Sequence, residues 1–309
     1  DKNTLVCYIL HMKDFDGQLF IFGEILFDVY GAEEKLGGAP FNVAFNLHMQ
    51  GLSPVFISKV GNDELGSRIV QFMERNGIST EHLGGDPVHS TGRVLVSVKK
   101  GEPDYEIISD QAYDYIYENL PDVAGGFIYY GTLAARSGVS RSSLFGLLNS
   151  DAKGRFYDVN LRKDCWDLET VCLLASHADY MKLNEEELNI IAEHVCSGEE
   201  GYLEKARRMI ELFRLKELYV TFGAKGAAYI TSKEHLTSGN YPVENLQDTV
   251  GAGDAFSSVI IKNILADTDR QKALESAAYY ASKVCTLKGA LTEDKRFYEE
   301  IKEEINAVR

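Results

Sequence analysis

One short run of small residues, at 248–256, combines features that phosphate chemistry requires. An apolar stretch at helical spacing follows it, so Gly251, Ala252 and Gly253 are predicted to lie at the start of a helix. The free amide groups of such a turn, with the positive end of the helix dipole behind them, form a binding site for an anion. Asp254 in the same turn could accept a proton from a hydroxyl group as that hydroxyl attacks a phosphate. The alternative is an ordinary glycine-rich turn in which this aspartate supports the start of the helix.

Two other groups of residues suit the binding of a sugar. The glycine pair at 37–38 would let a polyol approach the backbone closely, and Asn42 offers a donor and an acceptor to hydroxyl groups. Arg162 follows a predicted strand at 156–159, at the carboxyl end where open α/β sheets bind ligands. It could position a sugar or the transferred phosphate. The alternatives are a structural ion pair for Arg162 and a plain turn with a surface asparagine for the first group.

Two further polar residues are more simply explained as helix caps. Asn184 precedes an acidic helix start, and its spacing from Glu187 puts both side chains on one face of the predicted helix. Taken alone, that pattern favours Asn184 as a cap. Asn62 or Asp63 is likewise interpreted as a cap, at the start of a helix over 63–76.

Predicted strands and helices alternate along most of the chain. Strands are predicted at 19–22, 24–30, 55–58, 127–130, 156–159, 180–183, 218–221 and 227–231. Helices are predicted after Pro40 and at 63–76, 140–149, 185–194, 203–213, 252–265, 273–287 and 295–306. This alternation predicts an α/β fold, with a doubly wound, mostly parallel sheet flanked by helices. A hairpin with strands at 93–99 and 105–109 and a turn at 101–104 interrupts the pattern, and we expect it to lie outside the main sheet as a small lid.

The composition is that of an ordinary globular protein. The chain has 309 residues and a formal net charge of −15, which argues against nucleic acids and anionic membranes as partners. Its five cysteines are odd in number and lack Cys-x-x-Cys spacing, so we expect neither a disulfide framework nor a zinc site and take the cytoplasm as the compartment. No apolar stretch reaches membrane-spanning length, and no signal peptide is predicted.

The run Asp-Thr-Val-Gly-Ala-Gly-Asp-Ala-Phe at 248–256 resembles the C-terminal signature of the ribokinase-like (PfkB) carbohydrate kinases. Matches to other family blocks follow in order at 37–44, 59–66, 158–162, 182–187 and 221–226. The resemblance implies a single ribokinase-like kinase domain over residues 1–309, with lid strands drawn from about 25–37 and 91–112. It also implies ATP and Mg²⁺ as cofactors and a sugar as the phosphate acceptor.

The resemblance gives each candidate residue a role. Asp254 becomes the base, and the amides of Gly251, Ala252 and Gly253 hold the charge that develops on the phosphate. The residues implied to bind the sugar are Asp28, Gly38, Asn42 and Arg162. The residues implied to bind the nucleotide are Lys182, Asn184, Thr221, Gly223 and Gly226. Glu187 would organise water around Mg²⁺, and several relatives hold K⁺ beside the turn, where this chain would use Asp248, Val250 and the loop near 286–289.

The block Gly-Gly-Ala-Pro-Phe-Asn at 37–42 is more similar to fructokinases than to ribokinases, whose block usually has Gly-Gly-Lys-Gly. We therefore expect ATP-dependent transfer of phosphate to the primary hydroxyl of fructose, giving fructose 6-phosphate. Other acceptors remain open, namely 2-keto-3-deoxygluconate, whose carboxylate Arg162 would suit, ribose or a nucleoside.

Two other classes of protein remain to be weighed. A non-catalytic sugar or nucleotide sensor on the same fold would not need Asp254. A dinucleotide-dependent dehydrogenase is disfavoured, because no Gly-x-Gly-x-x-Gly follows the first strand. The expected partners are therefore ATP and a small sugar, without nucleic acid or membrane, and a homodimer is compatible with the family.

Overall fold

The computed structural model describes residues 17–99, 102–195 and 201–307, which form two β-sheets with helices packed on them. The strands are β1 (Leu19–Phe22), β2 (Leu26–Tyr30), β3 (Glu33–Gly37), β4 (Val55–Gly61), β5 (Leu83–Asp86), β6 (Gly92–Lys99), β7 (Glu102–Ile107), β8 (Phe127–Gly131), β9 (Gly154–Asp158), β10 (Tyr180–Asn184), β11 (Glu217–Thr221), β12 (Ala227–Ile230) and β13 (His235–Thr237). The helices are α1 (Ala39–Met49), α2 (Glu64–Arg75), α3 (Gly138–Leu148), α4 (Leu168–Ser176), α5 (Glu185–Val195), α6 (Tyr202–Phe213), α7 (Ala252–Leu265), α8 (Arg270–Val284) and α9 (Lys295–Ala307).

The larger sheet has nine strands in the order β13-β12-β11-β10-β9-β8-β1-β4-β5. All neighbours are parallel except for β12 and β13, which join antiparallel at one edge. The four residues of β1, Leu-Phe-Ile-Phe, are all buried, as expected for a strand covered by helices on both faces. Alternate residues of β1 enter two different apolar clusters, one on each face of the sheet. The predicted doubly wound α/β fold is therefore confirmed.

The smaller sheet has four strands in the order β3-β2-β6-β7, and it is the expected lid. In this sheet Asp28 of β2 lies beside Val94 of β6. Asp63 ties the base of the lid to the main sheet, because its carboxylate accepts hydrogen bonds from the Gly66 and Thr91 N–H groups, each at 2.8 Å. The first of these bonds caps α2, which confirms the predicted cap.

The sequence-based prediction missed β3, β5, β13 and α4 and misplaced one turn. β3 reads Glu-Glu-Lys-Leu-Gly and lies at an edge of the small sheet, where charged side chains remain in solvent and no apolar alternation arises. The turn expected at 101–104 is wrong in extent, because β7 already begins at Glu102, which lies opposite Lys99 of β6. The described residues contain no helix long and apolar enough to cross a membrane.

Candidate active site

The candidate residues converge because parallel strands end at one edge of the large sheet. Asp158 ends β9 and lies beside Lys182 of β10, while Asn184 at the end of β10 lies beside Thr221 of β11. The start of α7 and the start of α1 face the same edge, which is where an open α/β sheet binds its ligands. The site is therefore built from segments that are far apart in the sequence.

The glycine-rich turn does open α7, as predicted. Gly251 occupies the position before the helix with φ 81°, in the left-handed region that favours glycine. A Cβ at Gly251 would also lie 2.5 Å from the Cβ of Ala290, so the backbone packs closely against the C-terminal loop. Ala252 and Gly253 follow in the first turn, where their N–H groups have no partner within the helix.

Asp254 lies in that first turn and is buried. Its Oδ2 accepts a hydrogen bond from Asn42 Nδ2 at 2.7 Å. Burial raises the pKa of Asp254 to about 6, and the charge of Asp158 raises it further, whereas Asn42, Lys182 and Arg162 oppose the rise. The carboxylate is thus mostly ionised at neutral pH and more basic than an ordinary aspartate, as a general base requires.

Asn42 contacts the predicted base directly, in addition to facing the site expected for the sugar. It lies on α1, behind Gly38, whose φ of 105° and close approach to the backbone of Glu24 exclude a side chain. Its Oδ1 is buried without a hydrogen-bond partner among the described residues. The backbone of Asn42 is held by Asn46, whose Nδ2 donates to the Asn42 carbonyl at 2.8 Å. A fixed amide therefore presents one bond to Asp254 and leaves one acceptor free.

Lys182 lies beneath the glycine-rich turn rather than in the open cleft. Its Nζ bonds to Asp158 Oδ1 at 3.0 Å, and a Cβ on Gly253 would come within 2.9 Å of that ammonium. Asp158 is fully buried and also accepts a bond from Ser257 of α7 at 2.7 Å. Asp158 and Ser257 were not among the predicted site residues, although Asp158 opens the family block at 158–162. The ion pair places a positive charge directly under the predicted anion site.

The Asn184–Glu187 pair forms a reciprocal helix cap. Asn184 Oδ1 accepts from the Glu187 N–H, and Glu187 Oε2 accepts from the Asn184 N–H, both at 2.8 Å. Glu187 Oε1 accepts from the Leu161 N–H, also at 2.8 Å. Both carboxylate oxygens are therefore engaged, and the described residues contain no cluster of His, Cys, Asp and Glu that could enclose a metal ion. Such a donor set fits Mg²⁺ only through its own water shell, which this ion retains readily.

Three carboxylates and one arginine surround the site expected for the sugar. Burial raises the pKa of Asp28 to about 6 and that of Glu24 to about 7, and the positive charge of Arg162 opposes both shifts. Arg162 also acts on Asp254, so it lies among all three acidic groups. It is exposed and forms no hydrogen bond with any other described residue. Its guanidinium is thus free to bind a ligand.

An apolar cavity of about 490 Å³ lies on the other side of the turn. Thr221, Gly223 and Gly226 of the predicted nucleotide loop line it together with Ala252 and Gly253. The apolar part of its lining comes mainly from Tyr241, Pro242, Val243, Leu246, Phe256 and Cys285. A planar apolar ring could occupy this space while its phosphates reach the turn. Lys182 and Asn184, by contrast, do not line it.

The residues proposed for a monovalent cation lie beside the turn. The N–H groups of Gln247 and Asp248 donate to the Cys285 carbonyl at 3.0 and 3.3 Å. The Val250 N–H donates to Asp248 Oδ1 at 3.0 Å. These bonds hold the segment before α7 against the loop that follows α8, as the predicted location requires.

Comparison with known proteins agrees with this geometry. The pfkB family of carbohydrate kinases matches residues 4–295. The fructokinase of Salmonella typhimurium is 28% identical over 300 residues, covering 90% of this chain and 96% of that protein. A solved fructokinase double mutant from Vibrio cholerae O395, bound to fructose, ADP and a potassium ion, is 25% identical with a TM-score of 0.78, covering 92% of this chain and 97% of that one.

The fold likeness extends to more distant structures. The ATP-bound fructokinase from Xylella fastidiosa has a TM-score of 0.82 at 20% identity, covering 94% of this chain and 98% of that one. The predicted resemblance is confirmed, since the family match spans nearly the entire sequence. This chain belongs to the pfkB family of carbohydrate kinases and is a sugar kinase.

Proposed function

We propose that this sugar kinase transfers the terminal phosphate of ATP to the primary hydroxyl of fructose, giving fructose 6-phosphate. The observation that carries the proposal is Asp254, a buried and unusually basic carboxylate in the first turn of α7, held by Asn42. A sensor would gain nothing from such a group, because burying an ionised carboxylate costs stability. A base beside unpaired amides suits a hydroxyl that loses its proton as it attacks a phosphate.

The residues of the turn divide the work of the reaction. Asp254 accepts the proton of the acceptor hydroxyl, and Asn42 fixes the direction of the carboxylate through the bond to Oδ2. The N–H groups of the turn at 251–253 face the negative charge that develops on the transferred phosphate. The Lys182 ammonium beneath Gly253 adds to the positive potential there. Pre-organised donors of this kind account for about 10²–10³ in rate each.

The nucleotide and ions are assigned from the chemistry of the residues. The apolar cavity beside Thr221 suits the adenine ring of ATP. Mg²⁺, when bound, would neutralise and orient the phosphates, with Glu187 acting on its water shell. The segment with Asp248 and Val250 would hold K⁺, which is supported by the potassium ion in the Vibrio cholerae fructokinase. The cytoplasm and a homodimer stay predictions.

The charges around the acceptor favour an uncharged sugar over a sugar acid. Glu24, Asp28 and Asp254 all act on Arg162, so a substrate carboxylate would meet more negative than positive charge. Hydroxyl groups, by contrast, can donate to these carboxyl groups. The same fold also occurs in an aminoimidazole riboside kinase from Salmonella enterica, at 21% identity and a TM-score of 0.78. The acceptor must therefore be decided by kinetics.

The test is a comparison of kcat/KM across acceptors with ATP and Mg²⁺. We expect fructose to exceed ribose, nucleosides and 2-keto-3-deoxygluconate. Replacing Asp28 or Asn42 by alanine should lower kcat/KM for fructose while ATP binding stays nearly unchanged. If 2-keto-3-deoxygluconate is preferred and Arg162→Ala removes the preference, the acceptor is the keto acid. Binding of sugar and ATP without turnover of any acceptor would identify a sensor.

A further inference from the structure

A cavity of about 740 Å³ lies beside the acceptor site and has no part in the reaction described above. Its walls are the lid strand β7, the segment at 163–167 that follows Arg162, and residues that follow β8, including Thr132 and Arg136. Binding sites for small molecules have volumes of about 300–1,000 Å³. The space is therefore large enough for a chemical group beyond a single sugar ring.

The cavity is continuous with the acceptor site through Tyr105. This side chain lines the cavity, and its pKa is raised by burial and by the negative charges of Asp248 and Asp28, while Arg162 lowers it. Lys163, the neighbour of Arg162 in the chain, also lines the cavity. Among the described residues that line it, neither Asp254 nor Asn42 occurs. A group in the cavity would thus be attached to the acceptor away from the reacting hydroxyl.

The inner charges of the cavity already have partners. Arg136 donates from Nε and Nη2 to the two carboxylate oxygens of Asp114, each at 2.8 Å, and from Nη2 to the Ile108 carbonyl at 2.7 Å. Asp167 accepts from the Thr170 N–H and hydroxyl at 2.8 Å each. These groups shape the wall and do not call for a charged ligand.

The remaining surface suits an uncharged ring. Carboxylates in the lining outnumber cations, and they are Glu106, Asp110, Asp114, Asp164 and Asp167. An anionic group is therefore disfavoured. Trp166 and Tyr105 offer aromatic faces for stacking, and Ser109 and Ser137 offer hydroxyl groups for hydrogen bonds.

We propose that this cavity holds a second, uncharged ring joined to the sugar on the side remote from the phosphorylated hydroxyl. The acceptor would then be a glycoside, whose second ring is either another sugar or a heteroaromatic base. This inference rests on the proposed sugar-kinase reaction, because the cavity is defined by its position next to the acceptor site. It widens the acceptor class beyond free fructose.

Trp166 provides a direct measurement of binding, because it is the single tryptophan of the chain. Sucrose carries a fructosyl unit with a second sugar ring, and inosine carries a ribosyl unit with an uncharged base. Each is titrated into the protein without ATP and compared with free fructose and free ribose. We expect a saturable change in Trp166 emission with sucrose or inosine and a much smaller change with the free sugars. The responding probe identifies the kind of ring.

Kinetics with variants of the cavity wall supply the second measurement. Trp166→Ala should lower kcat/KM for the ring-bearing acceptor about tenfold, the effect expected from one lost aromatic contact. Trp166→Phe keeps an aromatic face and should retain most of the activity. Ser109→Phe, which fills the cavity, should act like Trp166→Ala. Activity toward the free sugar should change by no more than about twofold in all three variants, whose folding is checked by circular dichroism.

The two proposals fail in different ways. If a free sugar is phosphorylated but neither ring-bearing probe changes Trp166 emission or is phosphorylated, the cavity is not an acceptor subsite and the inference is overturned. Equal loss of activity toward free and ring-bearing acceptors in Trp166→Ala would overturn it as well. If no acceptor of either kind is phosphorylated, the proposed function itself fails, whatever the emission shows.

Discussion

Replacing Asp254 by asparagine should remove turnover and, at the same time, stabilise the fold. Burial raises the pKa of this carboxyl group from 3.8 to about 6. The folded state therefore binds the proton more tightly than the unfolded chain does, so the stability contributed by the protonated group is lost as the pH rises from about 4 to about 6. At neutral pH the fold carries a buried charge that the unfolded chain exposes to water.

The size of the effect follows from the pKa shift. About two pKa units correspond to about 3 kcal/mol in the free energy of unfolding. Asparagine has the same shape without the charge, although its bond to Asn42 is weaker than that of a carboxylate. We therefore expect Asp254→Asn to raise the free energy of unfolding by about 1–3 kcal/mol at pH 7. Loss of the base should lower kcat by about 10²–10⁴-fold.

The assay combines urea unfolding at pH 7 and near pH 4 with kcat at pH 7. The gain in stability should be present at pH 7 and nearly absent near pH 4, where the wild-type carboxyl group is protonated in the folded state. Asp269 provides a matched control, since it caps α8 by accepting from the Lys272 N–H at 2.9 Å. Asp269→Ala should destabilise the protein by about 0.5–2 kcal/mol and leave kcat unchanged.

The opposite result would refute the assignment. If Asp254→Asn destabilises the protein as Asp269→Ala does, and kcat is retained, then Asp254 only supports the start of α7. Stabilisation without any loss of kcat would also exclude it as the base, although burial of the charge would be confirmed.

Three further predictions concern the same turn. Below pH 6, kcat/KM for the sugar should fall about tenfold per pH unit, because only ionised Asp254 can accept the proton; a flat profile from pH 5 to 8 would contradict this, and pH 7 stability serves as the control. Gly253→Ala places a methyl group 2.9 Å from Lys182 Nζ, so kcat should drop about 10²-fold or more with a smaller change in ATP affinity. Gly146→Ala, whose Cβ meets nothing within 4 Å, is its control, and equal kcat in the two variants would remove the turn from catalysis. Replacing K⁺ by a bulky inert cation should lower kcat if the segment with Asp248 holds the ion, and identical rates in both salts would exclude that site.

Much of the fold could be predicted from local patterns. Continuous apolar runs such as Leu19–Phe22 are typical of strands buried on both faces, and their alternation with helical patterns fixes a parallel sheet. Once the sheet is parallel, strand ends must share one edge, which is why Asn184 and Thr221 become neighbours. Strands without an apolar pattern, such as β3, escape this kind of prediction because they lie at edges.

The electrostatics of the site could not be predicted in the same way. The bond between Asn42 and Asp254 joins residues 212 positions apart, and its existence depends on how α1 and α7 pack. The location of Lys182 beneath Gly253 depends equally on tertiary packing, because sequence spacing alone placed this lysine with the nucleotide. The Asn184–Glu187 cap, by contrast, is local, and the sequence indicated it as the alternative to a phosphate contact.

The most direct test of the central claim is the product formed from ATP, Mg²⁺ and fructose by the purified protein. The proposal predicts fructose-dependent formation of ADP and an equal amount of fructose 6-phosphate, identified by ³¹P and ¹³C NMR, with Asp254→Asn nearly inactive under the same conditions. ADP formation that is independent of any sugar, or a phosphorylated product formed equally fast by Asp254→Asn, would contradict the claim that Asp254 activates the hydroxyl of a sugar acceptor.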